Sequence, residues 1–430
     1  MPSDKKLLVV GAGPMGLAAA YFAAKAGWRV EVLEAGDRPG GMAAHFDFNG
    51  LSLERFYHFC CRSDVDTEAL LAELGLPPIR WVPTKMGYFV DGRLHPWGDP
   101  IALLRFPGLN LIEKVRYGLL AFTSTKRSDW RRLDGIAAAD WFRAWCGPKV
   151  YDKLWRPLFD LKFYEYAERI SAAWVWQRIK RVGRSRRSLL QEELGYIEGG
   201  SETLVAALVA AIERLGGKVH LSAPAARVLT RADTVTGLET VDGRRFEASQ
   251  VISTVAMPYV AGLLQDHPDL ARRYDGFDNV GCVCVVHQLA KPVSGNFWVN
   301  ISDAGINAPG LVEFSNLRPL DRHVVYVPYY MPASNPAFPR PDEDFVAESF
   351  KALQRVNPAL RDEDRIASHV ARLRYAQPVC DVGFAARIPP VQTPIAGLQI
   401  ADTSFYYPED RGVSESIRFA RGMVEALPRA

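Results

Sequence analysis

Gly11-Ala12-Gly13-Pro14-Met15-Gly16 directly follows the apolar run Lys6 to Val10, and Glu34 stands eighteen residues after the last of these glycines. Glycines at this spacing suit a pyrophosphate. The first permits a tight turn, the second lets the phosphates approach the backbone, and the third lets a helix pack closely on a strand. Pro14 and Met15 would open that helix, whose free N–H groups stabilise negative charge. A carboxylate at Glu34 accepts from ribose hydroxyls and repels a 2′-phosphate, so NADP is disfavoured. Two further groups could do chemistry. Glu54-Arg55-Phe56-Tyr57-His58 offers an acid, a guanidinium and an imidazole, which titrates near neutral pH. Tyr406-Tyr407-Pro408-Glu409-Asp410-Arg411 offers phenols and a second guanidinium for an anionic substrate. The six cysteines have no metal-ligand spacing, so no metal site is expected and they read as buried thiols.

These residues need particular elements to position them. Lys6 to Val10 and Arg29 to Leu33 read as strands, with a helix over Leu17 to Ala26 stopped by Gly27, which makes a βαβ unit. A hairpin around Asn49-Gly50 leads to Glu54 and His58. Residues 66 to 190 read as a separate helical layer: Glu68 to Leu74, Leu111 to Thr123, Ala137 to Trp145, Lys149 to Asp160 and Ser171 to Lys180. Tyr196 and Gly199-Gly200 then precede a helix at Glu202 to Leu215, with strands at Lys218 to Leu221, Ala226 to Thr230, Thr234 to Thr240 and Gln250 to Thr254. Short strand candidates between 280 and 330 suggest an antiparallel sheet, followed by a helix at Asp342 to Arg355 and a strand at Ile366 to Tyr375. Leu398 to Ala401 and Ser414 to Leu427 form a last strand and helix.

Gly40-Gly41, just past the ribose-binding acid, favours FAD over NAD, because the backbone there must bend around the middle of a longer cofactor. With that pair the sequence resembles the flavin amine oxidase superfamily, which includes protoporphyrinogen oxidase, phytoene desaturases and UDP-galactopyranose mutase. The resemblance implies roles for Ala35, Arg38 and Met42 beside the cofactor. It implies an adenine-side strand at Val228, a strand near the pyrophosphate at Ser253 and Thr254, and an acid at Asp402 for the ribityl chain. Gly412, Val413 and Ser416 would start the helix that faces the flavin. A histidine in the segment comparable to His58 lies against the flavin in the mutase branch. His58, Glu54, Tyr407 and Arg411 are therefore the candidate catalytic residues, although a structural histidine, an ion pair and a capping loop would also account for them. Many amine oxidases carry an arginine where this chain has Met42, and a lysine on the first strand of the substrate domain, where residues 280 to 286 have none. Simple amine oxidation loses ground accordingly.

The expected fold is α/β. A Rossmann-type FAD domain of residues 1–65, 191–265 and 386–430 is interleaved with an α+β substrate domain of 66–190 and 266–385, in which an antiparallel sheet meets the helical layer. The expected chemistry is hydride removal from a hydrophobic or anionic small molecule. A non-redox sugar mutase is the alternative, and a prenyl-binding escort protein of the same fold stands behind it.

Net charge is only +3, yet residues 101–190 hold 19 Lys and Arg against 8 Asp and Glu, with six of the ten tryptophans. Three accounts fit this basic aromatic stretch. Residues 97–123 resemble the membrane-associated segment of phytoene desaturases, with Arg105, Lys114 and Arg116 suited to an interfacial helix. The arginines and lysine at 178, 180, 181, 184, 186 and 187 could bind a phosphate, or the whole could be a solvated basic face. No nucleic-acid module accompanies the charge. Two charge-free runs of 18 residues, 7–24 and 248–265, are interrupted by glycine or proline and read as buried strands meeting turns rather than spans. With no signal peptide apparent, a cytoplasmic location is the default.

Overall fold

The computed structural model describes residues 5–428. Five parallel strands form one sheet, in the order Lys218–His220, Arg29–Leu33, Lys6–Val10, Gln250–Ser253 and Leu398–Ile400. Three well-separated stretches of chain thus meet in a single layer. Parallel strands are buried on both faces, which is why these read as unbroken apolar runs. Leu7, Leu8 and Val9 are fully enclosed, as are Leu17 to Ala20 on the helix Pro14–Lys25 that packs on them.

A seven-stranded sheet forms the second layer, in the order Arg365–Pro378, Asn279–Leu289, His323–Pro332, Gly310–Glu313, Trp298–Ile301, Met86–Val90 and Arg93–Trp97. Its pairs are antiparallel, except that Trp298–Ile301 runs parallel to Met86–Val90. The stretch 66–190 is consequently not all helix. Arg80–Thr84 and Arg186–Ser188 flank Gln191–Tyr196 in a small sheet of their own, and Met86–Val90 and Arg93–Trp97 extend the large one. Pro83, Gly87 and Pro96 break the local pattern, and the pairing partners lie far away in sequence, so periodicity could not show these strands.

The helix expected over Lys149 to Asp160 is two helices, Pro148–Leu154 and Arg156–Phe163, meeting at Trp155. Pro157 explains the break, because its ring and missing N–H cannot continue a helix from the turn before. Both helices turn aromatic side chains inward, and Tyr151, Phe159, Phe163, Phe142 and Trp174 make the core of this layer. All six cysteines are free thiols; Cys60 is partly covered and the others are buried.

Candidate functional site

One cavity of about 1830 Å³ runs between the parallel sheet and the seven-stranded sheet. Its first part is the glycine loop. Gly11 has φ +98°, a left-handed backbone that favours glycine. A Cβ on Gly16 would stand 1.9 Å from the Gly11 carbonyl oxygen, so this glycine sets how closely helix and strand approach. A Cβ on Gly13 would meet nothing within 4 Å, which leaves room for a ligand over the loop. No side chain caps the helix Pro14–Lys25, so its first N–H groups are left for that ligand. Glu34 accepts from the N–H of Ala12 at 2.7 Å and of Gly36 at 2.8 Å, which fixes its carboxylate at the cavity wall beside Ala35.

The glycine pair has a structural task. Gly40 donates to the Ala12 carbonyl at 2.7 Å, and a Cβ on Gly41 would come within 3.1 Å of the Gly13 Cα. The two glycine segments thus press on each other, and Met42 is carried onto the cavity wall. Thr254, Asp402, Gly412, Val413 and Ser416 also line it. Thr254 donates to the Val10 carbonyl at 2.9 Å, and the Asp402 carboxylate accepts from the N–H groups of Met257 and Ser404, both at 2.8 Å. Burial raises the Asp402 pKa above its ordinary value. Ser416 receives the Tyr406 hydroxyl at 2.8 Å in the first turn of the helix Val413–Glu425.

Four expected cofactor contacts fall elsewhere or beneath the wall. Arg38 lies off the cavity, 3.4 Å from Asp47 at the surface. Val228 and Ser253 are buried behind it, and Ala225, Ala226 and Val241 take the wall position beside Val228. Gly40 sits behind Gly41. Alternation along a strand turns neighbouring side chains to opposite faces, which a motif match does not resolve.

Of the catalytic candidates, Glu54, His58 and Arg411 reach the cavity. Glu54 is buried and accepts from the Ser201 N–H at 3.1 Å, with His45 and Arg318 at 3.7 and 3.8 Å. Burial pushes His58 down to about 4, against the pull of Glu54 and with the help of Arg411, so its ring is neutral at pH 7. Tyr407 does not reach the cavity. Its hydroxyl donates to Asp134 at 2.5 Å and bonds Ser171 at 2.7 Å, and its ring meets Trp130 edge-on. The neighbouring Tyr406 occupies the wall instead.

Sequence reasoning gave no role to Lys162, Tyr57 and Tyr330, which also line the cavity. The strand Asn279–Leu289 carries no lysine and presents Cys282 and Cys284; the enclosed lysine comes from the helix Arg156–Phe163. Burial, reinforced by Arg178, holds Lys162 well below its ordinary pKa. Nothing in the sequence around Lys162 distinguishes it from the other basic residues of this stretch. Most of the candidate phosphate-binding residues are already engaged: Arg178 with Asp410, Arg181 with Asp64 at 2.7 Å, Arg184 with the Thr125 carbonyl and Arg186 with the Gly98 carbonyl.

The outer wall includes Leu103, Phe122, Lys126 and Leu189, from the helices Pro100–Arg105 and Leu111–Lys126 and the turn after Arg186–Ser188. Phe122 is 56% exposed and Leu189 75%. Leu111, Ile112, Val115 and Leu119 are exposed on the same helix. Among the described residues no helix is long and apolar enough to cross a membrane.

The family model for flavin containing amine oxidoreductases matches residues 16–403. The chain belongs to this family. A lycopene-forming phytoene desaturase from Paracoccus sp. is 27% identical over 287 residues, which is 59% of this chain and 55% of that protein. The chain thus spans about half the length of the curated relatives it matches. A protein from Exiguobacterium sp. 255-15, provisionally assigned as a protoporphyrinogen oxidase, shares the fold with a TM-score of 0.76 at 21% identity, over 99% of this chain and 98% of that one. Reduced UDP-galactopyranose mutase superposes with a TM-score of 0.75 at 16% identity, over 98% and 93% of the two chains. The uncovered Gly13, the uncapped helix and the fixed Glu34 fit the flavin nucleotide of the family.

Proposed function

We propose that this protein is an FAD-dependent oxidoreductase that dehydrogenates a largely apolar small molecule received from a membrane surface. The observation that carries this reading is that the dinucleotide cradle and an aromatic chamber are one continuous cavity, with exposed apolar residues in its outer wall. FAD supplies an acceptor for a hydride when bound. The protein's part is to orient, exclude water and set charge. Gly11 to Gly16 and Glu34 would hold the pyrophosphate and ribose, and the N-terminus of the helix Val413–Glu425 would favour negative charge on the reduced ring. Tyr57 and Tyr330 give the substrate flat apolar walls. His58, neutral at physiological pH, can accept or donate a hydrogen bond, and its lowered pKa opposes taking up a proton there.

The apolar face of the helix Leu111–Lys126 supports interfacial docking, with Lys126 at its end for anionic headgroups, while Lys114 and Arg116 donate to the carbonyls of Leu104, Ala144 and Trp145. Purified protein should show an oxidised flavin spectrum, and denaturation should release FAD. Anaerobic addition of candidate isoprenoid or tetrapyrrole substrates should bleach it. A colourless protein would favour the escort reading. An isomerised product with no acceptor consumed would favour the sugar mutase.

A further inference from the structure

Arg178, Arg411 and Lys162 line the inner chamber, and Asp410 is the carboxylate beside them. Arg178 takes Asp410. Asp410 is held down to about 2 despite its burial, by Arg178, Arg411 and Lys162 together. Arg411 donates to Gln377 Oε1 and, at 3.4 Å, to the Tyr330 hydroxyl, both uncharged partners. Among the described residues it pairs with no carboxylate. Lys162 has no hydrogen-bond partner among them either. Its Nζ lies 4.8, 5.1 and 5.5 Å from the ring centres of Tyr330, Trp174 and Phe163. The Arg411 guanidinium is 5.8 Å from that same Tyr330 ring. Arg411 and Lys162 thus both lie beside the Tyr330 ring.

One carboxylate shared by two guanidinium groups leaves an enclosed positive charge in excess, which is costly, and aromatic faces offset only part of that cost. Such an arrangement is stable when a ligand completes it. A carboxylate matches the guanidinium fork in shape and charge, whereas an ammonium would be repelled.

We propose that the inner chamber is a carboxylate subsite, in which Arg411, with Lys162 also beside the Tyr330 ring, receives the acid group of an otherwise apolar substrate. The proposal rests on the reading of the cavity as a substrate chamber and narrows the substrate to an apolar acid. It disfavours an amine, in spite of the family's name. Arg178 and Asp410 act as a positioning pair that holds the Arg411 segment against the chamber.

The test is calorimetric titration of the flavin-loaded protein with decanoate, 1-decanol and decylamine, which share one chain and differ in the head group. Decanoate should bind at least tenfold tighter than decanol, and decylamine more weakly than either. Arg411→Gln should bring decanoate to within about twofold of decanol and leave decanol binding intact. Lys162→Met should reduce the preference by a smaller factor, and it decides the matter if Arg411→Gln does not load flavin. Equal binding of decanoate and decanol by the wild type would overturn the subsite, as would a preference that survives both substitutions. Because binding is read without turnover, a preference for decanoate with no flavin bleaching by any acid would sink the redox reading and leave the subsite standing.

Discussion

Gly13 and Gly16 lie three residues apart and are required for different reasons. Gly16 is needed by the fold, since a side chain there would collide with the Gly11 carbonyl. Gly13 has an ordinary extended backbone, and its Cβ would point into open space. Gly13→Leu should therefore fold with a melting temperature close to that of flavin-free wild type yet purify without colour. Gly16→Ala should lose stability by several kcal/mol, since a contact of 1.9 Å forces helix and strand apart. Thermal unfolding combined with the flavin-to-protein ratio separates the two. A Gly13→Leu protein that stays yellow would place the pyrophosphate elsewhere. Glu34→Ala removes the acceptor of two N–H bonds and a ribose contact, and a roughly tenfold weaker hold on the flavin is expected, measured by reconstitution of stripped protein.

At the scale of elements, His287 joins three of them. It sits on the strand Asn279–Leu289, and its ring nitrogens lie 2.8 Å from Ser368 on the neighbouring strand and 2.8 Å from Ser349 on the helix Asp342–Val356. Burial, with Arg365 adding to it, pushes its pKa down to about 3. The unfolded chain takes up a proton near pH 6.5 that the folded chain refuses until about pH 3. Stability from this group is thus complete above pH 6.5 and falls as pH drops through that window, by at most about 1.4 kcal/mol per pH unit. Urea midpoints between pH 7 and pH 5 should fall for wild type and fall less for His287→Gln. The helix Leu111–Lys126 makes a separate prediction. Ile112→Glu with Val115→Glu places charge on its exposed apolar face, and cosedimentation with anionic vesicles should drop at least tenfold while the melting temperature stays unchanged. Unchanged cosedimentation would remove this helix from any membrane contact.

The whole molecule folds around a ligand-shaped gap of about 1830 Å³ between two sheets. Stability should accordingly rise with free FAD, by about 2.7 kcal/mol at a hundredfold excess over the dissociation constant, and differential scanning of stripped protein with added FAD would measure it. The gap also explains how evenly the chemistry is shared. One wall comes from residues 11–42, another from the last helix, and the chamber from a sheet whose strands begin at residue 86 and end at residue 378.

Much of this was legible along the chain. Lys6–Val10, Arg29–Leu33 and the glycines between them are a local code, because the turn, the helix start and the ribose acid all lie within thirty residues and depend on backbone sterics alone. The family's ends were legible for the same reason. Tertiary structure decided what alternation and distance hide: which tyrosine of the pair Tyr406-Tyr407 meets the cavity, and that Met86–Val90 is a strand at all. It also decided that Lys162, one basic residue among nineteen in its stretch, is the lysine enclosed in the chamber. A charge acquires its meaning from the groups folded around it, and those come here from distant segments: Arg178 and Asp410 are 232 residues apart, and Arg411 and Tyr330 are 81 apart.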